Sequence, residues 1–408
     1  MRLYSSRHIS VALALCLLSF IGWSGLYCSR SDPHPFGDIS NGTYTDHLSH
    51  VNCARLFFRA GTDLWRKPID EMYSRLPLAK VEQLPSDVKL GASNTGWLYE
   101  VPGWPTSKPM AVNWSGRPRN YPPGDLILFL PLAACYHFTA LSATWSNRLA
   151  ILTCLLFAHV AFYILMRTWI KSNVFDTLVS VLTLLLTYNL TIHWALEGFF
   201  DSAALACLFL CGVFLRKGQN LNVLLSYCCS TVIHYRAFFF APIALWAVAS
   251  IIRERQWLAW RKKEWAKISL VVVFSLGSLF PFLITWPYLS SAAINNEVNL
   301  SSNSVNYSLL FSVAIIFFGA TLAFTLLKSW LDLVILIWIA VVLFLLREAY
   351  PWHSVVLLGW FALPVIPQSE SNLSRPAMVR DVRIVLFCII SCGVFRTEML
   401  PTWMSNLL

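Results

Sequence analysis

Charge is scarce in this chain: Asp, Glu, Lys and Arg together supply 13% of its 408 residues, while 57% are hydrophobic. A soluble domain of this size needs a far more polar surface, so the composition excludes one and indicates a polytopic membrane protein, with mean hydropathy +0.58. Acidic residues are the scarcer sign, giving a net charge of +10. The basic residues sit in short stretches between apolar segments rather than on a separate basic, aromatic face, so nucleic acid is excluded as a partner. No C-x-x-C pair with zinc spacing occurs among the eleven cysteines. Cys154, Cys207, Cys211, Cys228, Cys229, Cys388 and Cys392 lie inside apolar runs as small core residues. A disulfide is open only to Cys28, Cys53 and Cys135, in or beside the first loop. No GxGxxG, P-loop, HExxH or GxSxG context occurs and no repeat period is evident, which excludes soluble nucleotide chemistry.

What is present is a series of apolar segments. Arg2 and Arg7 precede a run from Ile9 to Tyr27 that reads as a retained first span, since no small-x-small cleavage site stands ahead of Ser29. A loop over about 30–123 follows, holding most of the prolines. Further segments lie at about 124–138, 149–166, 175–193, 198–214, 221–235, 237–252, 268–289, 307–327, 331–346, 353–366 and 383–396. Arg167 with Lys171, Arg216 with Lys217, the Arg253–Lys267 cluster, Lys328 and the stretch from Arg375 to Arg383 mark cytoplasmic loops. The long first loop, Glu197–Asp201, His234–Arg236, an Asn-rich 295–306 loop and Arg347–His353 then lie on the opposite side. This parity holds only if 124–138, short and carrying Pro131, is an interfacial or re-entrant helix rather than a span. The expectation is an all-α membrane protein with about eleven transmembrane helices, one interfacial helix and one large extracytoplasmic first loop.

Ionisable residues at span ends line cavities more often than lipid, because a charge near the bilayer centre costs at least about 2.5 kcal/mol. Just past the first span, Gly42 to His50 carries one carboxylate, Asp46, a candidate base, and two imidazoles, His47 and His50. Arg55 and Arg59, four apart, share a helical face suited to an anionic headgroup. On the same side come Glu197 with Asp201, His234-Tyr235-Arg236, and Arg347 through His353. A base with several cations suits transfer of a group from an anionic leaving group. Plainer roles exist for each: an Asx turn at Asp46, an acidic helix start at Glu197 and Asp201, a snorkelling hairpin at His234–Arg236, a charged loop at Arg347–Glu348.

The order of these features resembles the GT-C membrane glycosyltransferases, in particular the first mannosyltransferases of GPI-anchor synthesis and their bacterial polyprenol-dependent relatives. Tyr44-Thr45-Asp46 matches the start of the family's Y-T-D-x-D loop motif. Cys53-Ala54-Arg55 followed by Gly61 is similar to its A-A-R helix, and Tyr121-Pro122-Pro123 to its Y-x-P. Asp201-Ser202 matches its A-D-S, and His234-Tyr235-Arg236-Ala237-Phe238 its H-x-K-I-Y. The likeness covers roughly 40–245. It departs at Leu48, where the second Asp of D-x-D would stand, and at Asn52, which leaves a divalent metal and the GPI substrate without support.

The resemblance implies transfer of mannose or another hexose from a polyprenyl-phosphate carrier to a lipid-linked or glycan acceptor, by inverting displacement with Asp46 as base. His47, His50, Arg55, Arg59, Tyr121, Glu197, Asp201, His234, Arg236, Arg347 and His353 are the expected substrate-binding residues. No cofactor or metal is required. Residues 1–396 form one membrane domain, with a first span at 9–27, the loop at 30–123, the interfacial helix at 124–138, a bundle over 149–396 and a tail at 397–408. A bacterial plasma membrane is expected, with the endoplasmic reticulum as the alternative. A lipid or sugar transporter, or a non-catalytic subunit of a membrane glycosyltransferase complex, is the competing class; inverted repeats would mark the transporter.

Overall fold

The structure, a computed structural model, describes residues 2–29, 53–54, 57–58, 60–67, 89–93, 96–100, 110–111, 119, 121–138, 143–171, 178–196, 198–300, 330–346, 353–364 and 375–393. The apolar runs become helices: α1 (Arg2–Ser29), α2 (Gly124–Phe138), α3 (Ala143–Lys171), α4 (Leu178–Leu196), α5 (Asp201–Arg216), α6 (Asn220–Ile233), α7 (Ala241–Arg253), α8 (Lys262–Leu300), α9 (Trp330–Leu346), α10 (His353–Leu357) and α11 (Arg375–Gly393). Short 3-10 turns cover Gly61–Trp65, Tyr235–Phe240 and Leu358–Ala362. Within the first loop β1 (Lys89–Ser93), β2 (Gly96–Glu100) and β3 (Met110–Ala111) form an antiparallel meander, with Ser93 opposite Gly96.

Among the described residues, four helical stretches are long and apolar enough to cross a membrane: His8–Ser29, Arg148–Trp169, Tyr235–Arg253 and Lys262–Pro281. The apolar helices at Gly124–Cys135, Val181–Leu196, Asn220–Ile233, Leu331–Val342 and Val382–Ser391 are shorter. α2 has 15 residues with Pro131 inside; at roughly 1.5 Å per residue it is shorter than a hydrocarbon core of about 30 Å. The expected segment at 307–327 and the tail at 397–408 lie outside the described residues. Two expected loops are helical instead. α8 runs on to Leu300, through the first half of the Asn-rich stretch, because no glycine or proline interrupts the ladder after Pro287. α11 begins at Arg375, so the basic run to Arg383 is helix rather than loop.

α5 and α6 pack together at the centre, α3 lies against α5, α8 and α7 against α6, and α1 against α3. The core divides into two apolar clusters along the bundle. One gathers Tyr27, Cys53, Trp65, Phe129, Ile192, Phe200 and Ile233; the other gathers Trp169, Phe209, Phe240, Ile335, Phe361 and Phe387. Gly212 lets α5 touch the backbone of the Leu358–Ala362 turn, since an added Cβ would overlap the Ala362 carbonyl. Leu15, Leu18 and Ile21 of α1, and Val273, Leu276 and Leu283 of α8, stay exposed, a face that water would hydrate unfavourably and lipid would cover. Cys28, Cys53 and Cys135 are unbridged.

Polar links inside this bundle are sparse. His159 Nδ1 donates to Leu155 O (2.8 Å), which makes Nε2 the acceptor for the Ser19 hydroxyl (3.0 Å). Tyr188 contacts Ser19 and accepts from Trp23 Nε1 at 2.8 Å, so one chain of hydrogen bonds joins α1, α3 and α4. At the other end Asp332 of α9 takes Arg383 Nε at 2.8 Å and a second guanidinium nitrogen at 3.1 Å. Trp360 Nε1 donates to the same carboxylate at 2.5 Å, and Arg383 also donates to Leu363 O at 2.8 Å. Arg383 is therefore buried in a two-pronged ion pair, not displayed on a cytoplasmic loop.

Candidate functional site

The site forms where α4 ends, α5 begins and α6 ends. α4 closes in a Schellman turn: Phe199 N donates to Trp194 O (2.9 Å) and Gly198 N to Ala195 O (3.0 Å). The turn needs φ +85° at Gly198, a conformation that glycine adopts without penalty. The reversal delivers Asp201 to the first turn of α5, where the helix dipole favours a carboxylate. Ser202 Oγ donates to Cys154 O at 3.2 Å and pins this corner to α3.

α6 stops at His234, whose backbone is extended (φ −145°, ψ 121°), and the 3-10 turn starts at Tyr235. The first N–H groups of that turn need acceptors. His234 Nδ1 supplies one, accepting from Arg236 N at 3.1 Å. With Nδ1 an acceptor, the ring proton sits on Nε2, and Nε2 lies 3.4 Å from Asp201 Oδ1 with both side chains buried. No carboxylate neighbours His234 in sequence; the fold brings one from α5.

Aromatic rings enclose the dyad. Tyr235 stacks on the His234 ring at 5.1 Å and 14°, and Tyr121 meets both rings edge-on at 5.6 and 5.2 Å. Phe200 closes another side at 5.5 Å. Arg236, fully buried, sets its guanidinium 4.6 Å from the Tyr235 ring centre, a cation–π contact.

Tyr121 is held by a strap that the sequence reading missed. Arg119 N donates to Leu64 O (2.9 Å) and Trp65 Nε1 to Tyr121 O (2.9 Å), tying the end of the first loop to the Gly61–Trp65 turn. The Arg119 guanidinium donates to Pro122 O at 3.3 Å and forms an ion pair with Asp125, both side chains fully buried. Asp125 Oδ1 also accepts from Leu126 N at 2.8 Å at the start of α2. Burial works against the charged guanidinium, yet the Asp125 carboxylate and Cys53 beside it hold its pKa above the ordinary arginine value. Burial pushes the Cys53 thiol up to about 11, so it is neutral at pH 7 and no nucleophile. α2 then meets α6 backbone to backbone: a Cβ on Gly124 would overlap the Val232 carbonyl. The available sequence signal was Asp125 itself, an acid opening an apolar helix six residues after an arginine.

Of the expected site residues, Tyr121, Asp201, His234 and Arg236 come together here. Asp46, His47, His50, Arg55, Arg59, Glu197 and Arg347 lie outside the described residues. His353 opens α10, and its side chain lies outside them too. Among the described residues no three His, Cys, Asp or Glu side chains form a group able to hold a metal ion. The assembly can do two things chemically: orient a neutral imidazole through a carboxylate, and present a fixed cation in a dry aromatic setting. No protein-family model, no curated protein and no solved structure matches the chain.

Proposed function

We propose that the chain is a GT-C-type glycosyltransferase of a bacterial plasma membrane, with about eleven spans, that moves a hexose, mannose first among candidates, from a polyprenyl-phosphate carrier to a lipid-linked or glycan acceptor. The observation that carries the reading is the meeting of Tyr121, Asp201, His234 and Arg236 at one end of the bundle. They come from three separate motifs of the resemblance, up to 115 residues apart, and the contacts run through His234.

In the proposed step the acceptor hydroxyl attacks the anomeric carbon as Asp46 takes its proton. The bond from that carbon to the carrier phosphate breaks, and the phosphate leaves with the electron pair, inverting the centre. Arg236 stabilises the negative charge that grows on the phosphate, which needs no metal, and His234 fixes the turn that presents it by accepting from Arg236 N. Asp201 acts through His234 as a positioning residue. The experiment is transfer by the purified chain in lipid from radiolabelled polyprenyl-phosphate hexoses to a lipid-extract acceptor. Asp46→Asn should lower turnover by about 10² or more with donor binding kept. Transfer from a nucleotide sugar in a carrier-free system would refute the reading, as would near wild-type turnover by Asp46→Asn for the role of that residue.

A further inference from the structure

A second polar site lies at the opposite ends of α3 and α5. Fifteen residues of α5 separate Asp201 from Arg216, roughly 22 Å along the axis, so this place is not part of the dyad. Between the two helices opens a cavity of about 420 Å³ lined by Arg167 of α3, Arg216 at the end of α5 and the following Lys217, with Tyr163, Leu210 and Phe214 forming its wall and floor. All three cations are exposed. No acidic residue lines the cavity, and among the described residues none of the three makes an ion pair.

The end of a helix favours cations through its dipole, which accounts for Arg216 and Lys217 on α5. Arg167 stands near the end of α3, and the dipole does not account for two helices bringing their end cations to one hollow. Nor does it account for the hollow, whose walls are mostly apolar, with Thr168 among them, while its charged residues are all positive. Arg216 spends one donor on Ala362 O at 3.2 Å and Lys217 lies 5.9 Å from the Phe214 ring centre, so each exposed head has a contact at the rim. The Lys and Arg distribution places this end in the cytoplasmic leaflet. An occupant must be anionic at its head and apolar behind it, and must arrive at the membrane surface.

The geometry points to a binding site for the phosphate of an anionic membrane lipid, held by Arg167, Arg216 and Lys217 with its chain against Leu210 and Phe214. This site is separate from sugar transfer, and its test reads binding alone. The full chain in detergent micelles is titrated with phosphatidylglycerol and with phosphatidylcholine, and bound lipid is counted by native mass spectrometry. Phosphatidylglycerol should bind at least about tenfold more tightly, and Arg167→Gln with Lys217→Gln should lose about 25-fold, about fivefold per cation. Lys262→Gln with Lys263→Gln, an equal charge loss elsewhere on the same side, should change affinity by less than about twofold. Inorganic phosphate in excess should leave lipid binding intact. Displacement by inorganic phosphate would make the occupant a soluble anion and overturn the lipid assignment. Equal losses in the two double variants, or none in the first, would overturn the site. Lys217→Gln alone, at an exposed side chain, gives the same decision with an expected loss of about fivefold if the double variant fails to fold.

Discussion

Replacing Asp125 with Asn tests whether the strap that holds Tyr121 is as dry as it looks. Arg119 and Asp125 are both fully buried, and Asn keeps the shape and the bond from Leu126 N while removing the countercharge. Breaking a buried pair from one side costs about 3–5 kcal/mol, because the remaining ion stays desolvated, whereas an exposed pair is worth about 1 kcal/mol or less. SDS-driven unfolding of the purified protein gives the free energy directly. Asp125→Asn should lose about 3 kcal/mol or more, and Arg119→Met with Asp125→Leu should recover most of it, since no unpaired charge is then left. Cys53 supplies a local readout. In the wild type it is buried and its thiol is held protonated, partly by the Asp125 carboxylate. Removing that carboxylate and loosening the strap both favour reaction, so maleimide labelling of Cys53, mapped by peptide mass spectrometry, should accelerate. A loss below about 1 kcal/mol with unchanged labelling would mean that water reaches the pair, and the strap would not be what fixes Tyr121.

Arg236→Lys keeps the charge but not the planar fork; donor affinity should fall about tenfold with unfolding unchanged, and unchanged affinity would make Arg236 purely structural. Gly198→Ala forces a side chain into the left-handed region at φ +85° and should cost about 1–2 kcal/mol in the same unfolding assay, with a larger drop in turnover because Asp201 follows the turn. Burial raises the Cys53 thiol from 9.0 to about 11, so the folded chain holds a proton that the unfolded chain gives up. That stabilisation is complete below pH 9 and is lost as pH climbs toward 11. The wild-type minus Cys53→Ala difference in unfolding free energy should therefore fall across this window and lie flat below it.

Helices were legible in the sequence because an apolar run announces itself locally. The segments expected at 149–166, 198–214 and 331–346 overlap α3, α5 and α9 with ends shifted by a few residues, and α2 has the bounds expected of the short segment. Pairings were not legible. Nothing near His234 in sequence names Asp201 as its partner, because the contact depends on the angle set by the Gly198 turn. Arg383 read as a loop cation by its neighbours Arg375 and Arg380, and only the fold shows Asp332 waiting for it across 51 residues. Ser19, His159 and Tyr188 went unnoticed for the same reason: each is one polar side chain in an apolar run, and meaning comes only from their meeting. Tyr121, Asp201 and His234, all expected among the substrate-binding residues, do meet in the fold, which the local chemistry of each did not foretell.

The Asp332–Arg383 pair also sets a schedule for synthesis. Asp332 leaves the ribosome 51 residues before Arg383, an interval of about 3–10 s at ordinary elongation rates. During that time the first turn of α9 carries a carboxylate that no guanidinium neutralises, and burying it alone would leave an uncompensated charge at a cost of about 3–5 kcal/mol. α9 therefore has its countercharge only when α11 emerges, and the two helices would then pack into the bundle together as a neutral unit.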